Sequence, residues 1–102
     1  MTHQHIELED QGRVVGQAEL ETDGTGLRAA LHVVSGHHRP DTGARLVDAV
    51  LDESHAEPGT PVHITLPAGD AEALLRLRER CDDLHARSAG ATVLADGTLA
   101  TP

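Results

Sequence analysis

The chain has 102 residues, a formal net charge of -9, one Cys and no Phe, Tyr or Trp. This length predicts one domain, residues 1–102, with a core of Leu, Val, Ile and Ala. The negative charge and the absence of aromatic rings argue against a nucleic-acid partner. No apolar run has membrane-spanning length and no signal-like N-terminus is present, so we expect a cytoplasmic protein without membrane association. The absence of Lys and Asn is typical of a GC-rich, actinobacterial-type genome.

Three strands are predicted in the first third of the chain. Residues 4–9 alternate between polar and apolar side chains, which is typical of a half-buried strand. Residues 13–22 form the second strand, with Gly16 as a possible bulge. The Gly-rich turn Asp23–Gly26 leads into the third strand, residues 27–34. The three strands are expected to form an antiparallel meander.

Helices and strands alternate in the rest of the chain. Apolar residues at helical spacing predict a first helix from Gly43 to about His55, and residues 62–66 alternate as a fourth strand. This strand follows a helix and is expected to lie parallel to the third strand. Asp70 is a good N-cap for a second helix that runs to about Ser88. That helix has one apolar face, formed by Leu74, Leu77, Cys81, Leu84 and Ser88.

After the second helix the sequence predicts one short strand followed by a turn. Gly90 would cap the second helix, residues 91–95 would form the last strand, and Asp96–Gly97 would be a turn. Residues 98–102 would be an extra strand or a loose end. The fold class is therefore α/β of the α+β kind, with a mixed sheet in the order β-β-β-α-β-α-β.

The stretch between the third strand and the first helix is the strongest candidate for a ligand site. Residues 35–43 form a polar loop with a Gly on each side, two adjacent His and one Arg. A strand that turns through such a loop into a helix directs several backbone N–H groups and the helix dipole at one spot. This design suits a phosphate or a carbonyl oxygen, although a plain crossover without a ligand has the same pattern.

This stretch resembles the acyl-CoA-binding segment of the GNAT acetyltransferase superfamily, in which an Arg/Gln-x-x-Gly-x-Gly/Ala loop grips a pyrophosphate. In this match Gly43 takes the last glycine, Asp41 the middle one and His38 the Arg/Gln position. Gly12–Leu20 also resembles the family's second strand, and Asp70–Ala73 resembles the start of its last helix. The resemblance implies a GNAT-like core that lacks the family's N-terminal strand and helices, as in a truncated or degenerate member.

The resemblance further implies acyl-CoA-dependent transfer, as in an N-acetyltransferase, to a small-molecule or protein amine. Acetyl-CoA would bind at six residues of the loop and first helix: His38, Arg39, Thr42, Gly43, Ala44 and Arg45. The alternative is a non-catalytic dimeric binding protein that does not use CoA. A homodimer is expected in both cases, because the missing elements would leave apolar sheet and helix surface to be covered.

No catalytic residue is assigned from the sequence. Leu77 takes the position at which many members of the family have a catalytic Tyr. The other candidates are Cys81 as a residue near the thioester and Glu19, Glu21 or His32 as a general base. Each of these four has a more ordinary interpretation as a packing or surface residue.

The eight His residues are the remaining unusual feature. His3 and His5 would share one face of the first strand at a spacing that can chelate zinc or nickel. No Cys/His framework accompanies them, so no metal is expected. Protonation of His37 and His38 beside Arg39 and Arg45 would make the central loop basic and favour an anion there.

Overall fold

The computed structural model of the chain describes residues 2–34 and 40–101. Within these residues it has six strands and two helices, which we number in chain order. They are β1 (Thr2–Asp10), β2 (Arg13–Asp23), β3 (Gly26–Val33), α1 (Thr42–Ser54), β4 (Pro61–Pro67), α2 (Ala71–Arg80), β5 (Cys81–Ala89) and β6 (Thr92–Leu99). No helix in this part of the chain is both long and apolar enough to cross a membrane.

The strands form one mixed sheet in the order β1-β2-β3-β4-β6-β5. β3 and β4 run parallel across the α1 crossover, and the other neighbours are antiparallel. The α+β class, the mixed sheet, the N-terminal meander and the parallel β3–β4 pair are thereby confirmed. The predicted bulge lies at Val15, next to Gly16, because Leu8 pairs with Gly16 while Glu9 pairs with Val14.

Both helices cover the same face of the sheet, and the opposite face is open. Alternation directs Ala18 and Leu20 of β2 and Ile64 of β4 into one aliphatic core, where they meet Leu46 of α1 and Leu77 of α2. These side chains are almost completely buried. A side chain buried in this way contributes roughly 1.5–3 kcal/mol of hydrophobic free energy. Since α1 and α2 cover the apolar face of the sheet, the polar side chains of the alternating strands lie on the open face.

The prediction for the second helix is wrong beyond Arg80. Cys81 already has extended backbone angles, φ -128° and ψ 148°, and it begins β5. The last turn of α2 carries Arg78 and Arg80, whose charge suits a helix C-terminus, whereas Asp82 after them would oppose the dipole. The residues predicted as the second half of this helix instead form β5, which pairs with β6.

The predicted C-terminal turn is also wrong. β6 runs through Asp96 and Gly97 to Leu99, where it pairs with β4 on one side and β5 on the other. At Gly97 an added Cβ would lie 2.9 Å from the carbonyl oxygen of Asp82, so a glycine allows β5 to approach. Gly90, expected to cap a helix, instead lies between β5 and β6 with a φ of +66°.

Candidate functional site

The parallel strands β3 and β4 part at their carboxyl ends. Their register runs from Leu27–Val62 to Ala30–Thr65, and Leu31 and Leu66 beyond it are not partners. Crevices at the carboxyl ends of parallel strands are the usual ligand sites of open α/β sheets. α1 begins at this same end, since it follows β3 in the chain. The divergence therefore makes an opening between the helix-covered face and the open face.

The first turn of α1 contains four of the six predicted cofactor residues. Thr42, Gly43 and Ala44 are buried, and Arg45 is half-buried. The Arg45 backbone N–H donates to the carbonyl of Asp41 at 2.9 Å, while the Asp41 side chain does not cap the helix. No residue of this first turn is acidic. His38 and Arg39, the other two predicted residues, lie outside the described residues.

The Arg45 side chain reaches into the protein. Its Nη1 atom is buried, and no hydrogen-bond acceptor lies within reach among the described residues. A buried guanidinium nitrogen without an acceptor is costly, and a bound anion would compensate for this cost. Arg45 is thus the cofactor candidate with the clearest electrostatic argument.

Asp70 lies against the first turn of α1, which the sequence did not indicate. Its carboxylate accepts the Ala73 N–H at 3.1 Å and so caps α2, as predicted. The same carboxylate packs on Gly43, where an added Cβ would lie 2.7 Å from Oδ1 and 2.8 Å from Cγ. Gly43 is therefore required by the approach of Asp70. The carboxylate also brings negative charge to the place at which a pyrophosphate would approach α1.

The open face has a concave pocket of about 460 Å³ where β3 and β4 begin to part. Small or apolar side chains, including Ala30, Thr65 and Leu94, line it together with charged residues of neighbouring strands. Arg28 and Arg87 line it too. The pocket can therefore hold a polar molecule on the face of the sheet remote from α1, next to the unpaired ends of β3 and β4.

One wall of this pocket is a histidine–carboxylate pair. His63 Nδ1 donates to Asp96 Oδ1 at 2.6 Å. This hydrogen bond fixes the tautomer in which Nε2 is free to accept a proton, which is the arrangement of a general base. The alternation of β4 already placed His63 opposite the core. Its partner was missed because Asp96 was assigned to a turn.

A second histidine cluster lies on β1 and β2. His3 Nε2 donates to Glu19 Oε2 at 2.9 Å, and His5 Nδ1 donates to Glu19 Oε1. The hydrogen bond to Glu19 raises the pKa of His5, and the bonds from His5 and His3 lower the pKa of Glu19. Across residues 2–34 and 40–101, no group of three or more His, Cys, Asp or Glu side chains is arranged to hold a metal ion.

The open face is polar, contrary to the apolar surface expected from the sequence. One cross-strand row of ionisable residues spans all six strands. In sheet order it consists of His3, Glu21, Arg28, His63, Asp96 and His85. Among the described residues, the exposed large hydrophobic side chains are Val34 and Leu75.

The remaining catalytic candidates do not all come together at one site. Cys81 is buried in the core, where burial raises the pKa of its thiol and disfavours the thiolate. Leu77 is fully buried. Glu19 and Glu21 line the open-face pocket. His32 is exposed on β3, where it pairs with β2 but lies beyond the segment that pairs with β4. Of the sequence candidates, the two glutamates are the ones brought to a cavity.

No protein-family model matches the sequence, and no curated protein matches it. Among solved structures, the chain is similar to a crystal structure from Sphaerobacter thermophilus DSM 20745 that is described as a "putative acetyltransferase". The TM-score is 0.57 at 14% sequence identity, and the match covers 90% of this chain. The chain spans 60% of the length of that protein. At this identity the likeness shows the fold alone, and with the sheet topology it is consistent with the GNAT-like fold that the sequence resemblance implies.

Proposed function

We propose that the chain is a cytoplasmic acyl-CoA-dependent N-acyltransferase. One observation carries this proposal: β3 and β4 are no longer paired beside the N-terminus of α1, and a pocket on the open face borders their last paired residues, Ala30 and Thr65. A donor held at α1 could present its thioester through the opening to an acceptor in the pocket. The acetyltransferase description of the structural neighbour supports the same chemistry.

The cofactor side would consist of the first turn of α1 and the preceding loop. The backbone amides of Thr42, Gly43 and Ala44 and the positive end of the helix dipole would face the pyrophosphate of acetyl-CoA. The Arg45 Nη1 atom, which has no acceptor among the described residues, would gain one. His38 and Arg39 remain predicted contributors of charge.

The acceptor side would be the open-face pocket. The carboxylates of Glu19, Glu21 and Asp96 outnumber the two guanidinium groups in the pocket, and with the net charge of -9 they favour a cationic amine. His63, oriented by Asp96, would take the ammonium proton. The freed amine would then attack the thioester carbonyl, so that the C–N bond forms and the C–S bond breaks, while the proton lost by the nitrogen on amide formation passes through water to the leaving thiolate. Holding both reactants at one opening supplies much of the rate enhancement.

A second candidate function is a non-catalytic binding protein that does not use CoA. The contact between the Asp70 carboxylate and Gly43 favours it, because this carboxylate would repel a pyrophosphate at α1. The chain also contains no Tyr, and the buried Leu77 cannot donate a proton to a leaving thiolate.

Amide NMR with acetyl-CoA separates the two candidates. The acyltransferase proposal expects shifts confined to β3, the following loop and the first turn of α1. Arg45→Gln should weaken binding about tenfold, whereas Arg78→Gln, the same charge change on the exposed side of α2, should leave it unchanged. Asp70→Asn keeps a good N-cap and removes the competing charge, so it should strengthen binding by about tenfold or less. An absence of shifts at millimolar ligand, in Asp70→Asn as well as in the native chain, would refute CoA binding.

Release of the CoA thiol in the presence of an amine tests catalysis separately. His63→Gln should lower kcat by about a hundredfold or more if His63 is the base. His85→Gln is the matched control, because His85 is the other cross-strand neighbour of Asp96. An equal effect of both substitutions would remove His63 from the mechanism.

A further inference from the structure

The strand β1 forms one edge of the sheet, and the features of this edge differ from those of the opposite edge. β1 pairs only with β2 within the described residues and has nine residues without Pro, Gly or Lys. Its pairing with β2 has one register shift, between Leu8 and Glu9, but the extra residue there is Val15 of β2, so β1 itself is not bulged. The opposite edge, β5, has a register irregularity between Asp82 and His85 and a φ of +53° at Asp83. Irregular edge strands resist pairing with another chain, whereas a long regular edge strand presents a ladder of hydrogen-bonding groups to one.

The charge pattern of β1 complements itself. On the open face its N-terminal half has His3 and His5, and its C-terminal half has Glu7 and Glu9. Ile6 is the middle residue of the strand. An antiparallel copy centred on Ile6 would place His3 opposite Glu9 and His5 opposite Glu7, each twice by symmetry.

No other register matches charge and length together. A two-fold axis at His5 would place His5 opposite itself, and an axis at Glu7 would place Glu7 opposite itself. With the axis at either residue, fewer than nine residues of each β1 strand would face the β1 strand of the other copy. In the Ile6-centred register the whole of both strands overlaps, and Ile6 meets Ile6 on the helix-covered face.

We infer that β1 is a dimerisation edge, at which two copies of this chain pair antiparallel about a two-fold axis at Ile6. The interface is isologous, and it joins the two six-stranded sheets into one continuous sheet. The axis is perpendicular to the sheet, so the helices of both copies lie on the same side. This arrangement gives the homodimer expected from the sequence a defined edge, register and set of residues, and it does not depend on CoA binding.

The dimer is favoured by mild acid. Each His already faces two carboxylates of its own copy, so its protonation adds positive charge opposite the Glu of the other copy rather than a new hydrogen bond. His3 faces Glu19 and Glu21, while His5 faces Glu19 and Glu7. When His5 loses its proton, this attraction weakens and two copies that each carry a net charge of -9 repel one another.

Sedimentation velocity with interference optics tests the inference, because the chain has no Trp or Tyr for absorbance. The native chain should dimerise at about pH 6, and its dissociation constant should rise about tenfold by about pH 8.5. A monomer at millimolar concentration near pH 6 would overturn the inference.

Charge-swapped variants test the register. Glu7→His with Glu9→His, and His3→Glu with His5→Glu, should each weaken self-association about tenfold or more. Mixing the two variants restores every opposite-charge pair and should yield a heterodimer as tight as the native homodimer. Glu53→His with Glu57→His makes the same charge change at exposed residues outside the sheet, and it should leave dimerisation unchanged.

Far-UV circular dichroism checks that each variant is folded. If the His3→Glu, His5→Glu variant does not fold beside Glu19 and Glu21, the neutral His3→Gln, His5→Gln variant replaces it, with weakened self-association again expected. A dimer insensitive to all of these changes lies elsewhere on the molecule and overturns the inference. A mixture no tighter than its separate components also overturns it.

Discussion

Gly43 and Asp70 allow a quantitative test of how α1 and α2 are coupled. A methyl group at Gly43 would lie 2.7 Å from Oδ1 and 2.8 Å from Cγ of Asp70, well inside the contact distance of about 3.5 Å. Asp70 cannot move away without loss of its hydrogen bond to the Ala73 N–H, which costs about 1 kcal/mol. Overpacking itself costs about 1–3 kcal/mol, and the helix propensity of Ala returns at most about 1 kcal/mol. Gly43→Ala should therefore destabilise the fold by about 1–3 kcal/mol.

Urea unfolding followed by far-UV circular dichroism measures this change, since no Trp or Tyr reports it by fluorescence. In the Asp70→Ala background the obstacle is gone, so Gly43→Ala should be neutral or stabilising there. This double-mutant cycle isolates the contact. Gly24→Ala is the matched control, because a Cβ at Gly24 has no atom within 4 Å. A Gly43→Ala effect below about 0.5 kcal/mol, or one of equal size in both backgrounds, would refute the reasoning.

Three further predictions follow from burial and charge. Leu77→Ala removes a fully buried side chain and should lower the free energy of unfolding by about 2–5 kcal/mol in the same urea assay. Because the pKa of His5 is raised in the fold, protonated His5 stabilises the protein below pH 6.5, its ordinary pKa, and this contribution is lost as the pH rises through the folded pKa. Because the pKa of Glu19 is lowered, ionised Glu19 stabilises the protein above pH 4.5, its ordinary pKa, and this contribution is lost as the pH falls through the folded pKa. The melting-temperature difference between the native chain and His5→Gln should therefore be largest between these two values, and a pH-independent difference would contradict the pairing. Cys81 should react with a thiol reagent only as fast as the protein opens, because it is buried and its pKa is raised; a rate independent of urea below the unfolding transition would contradict its place in the core.

Local periodicity was sufficient for β1 to β4 and α1. The alternation of Val62, Ile64 and Leu66 is a property of adjacent residues, and burial of all three on one face followed from it. The helical spacing of Leu46 and Val50 and the capping role of Asp70 are equally short-range. These parts of the fold, and the place of α1 after β3, could therefore be predicted from the sequence.

Tertiary structure alone decided the end of α2 and the composition of both sides of the candidate site. The apolar spacing of residues 74–88 is compatible with a helix, and only the pairing of β5 with β6 converts its second half into a strand. The contact of Asp70 with Gly43 and the pair of His63 with Asp96 join residues 27 and 33 positions apart in the chain. Spacing along the chain carries no information about such contacts, because they arise when a whole sheet and its two helices pack around one core.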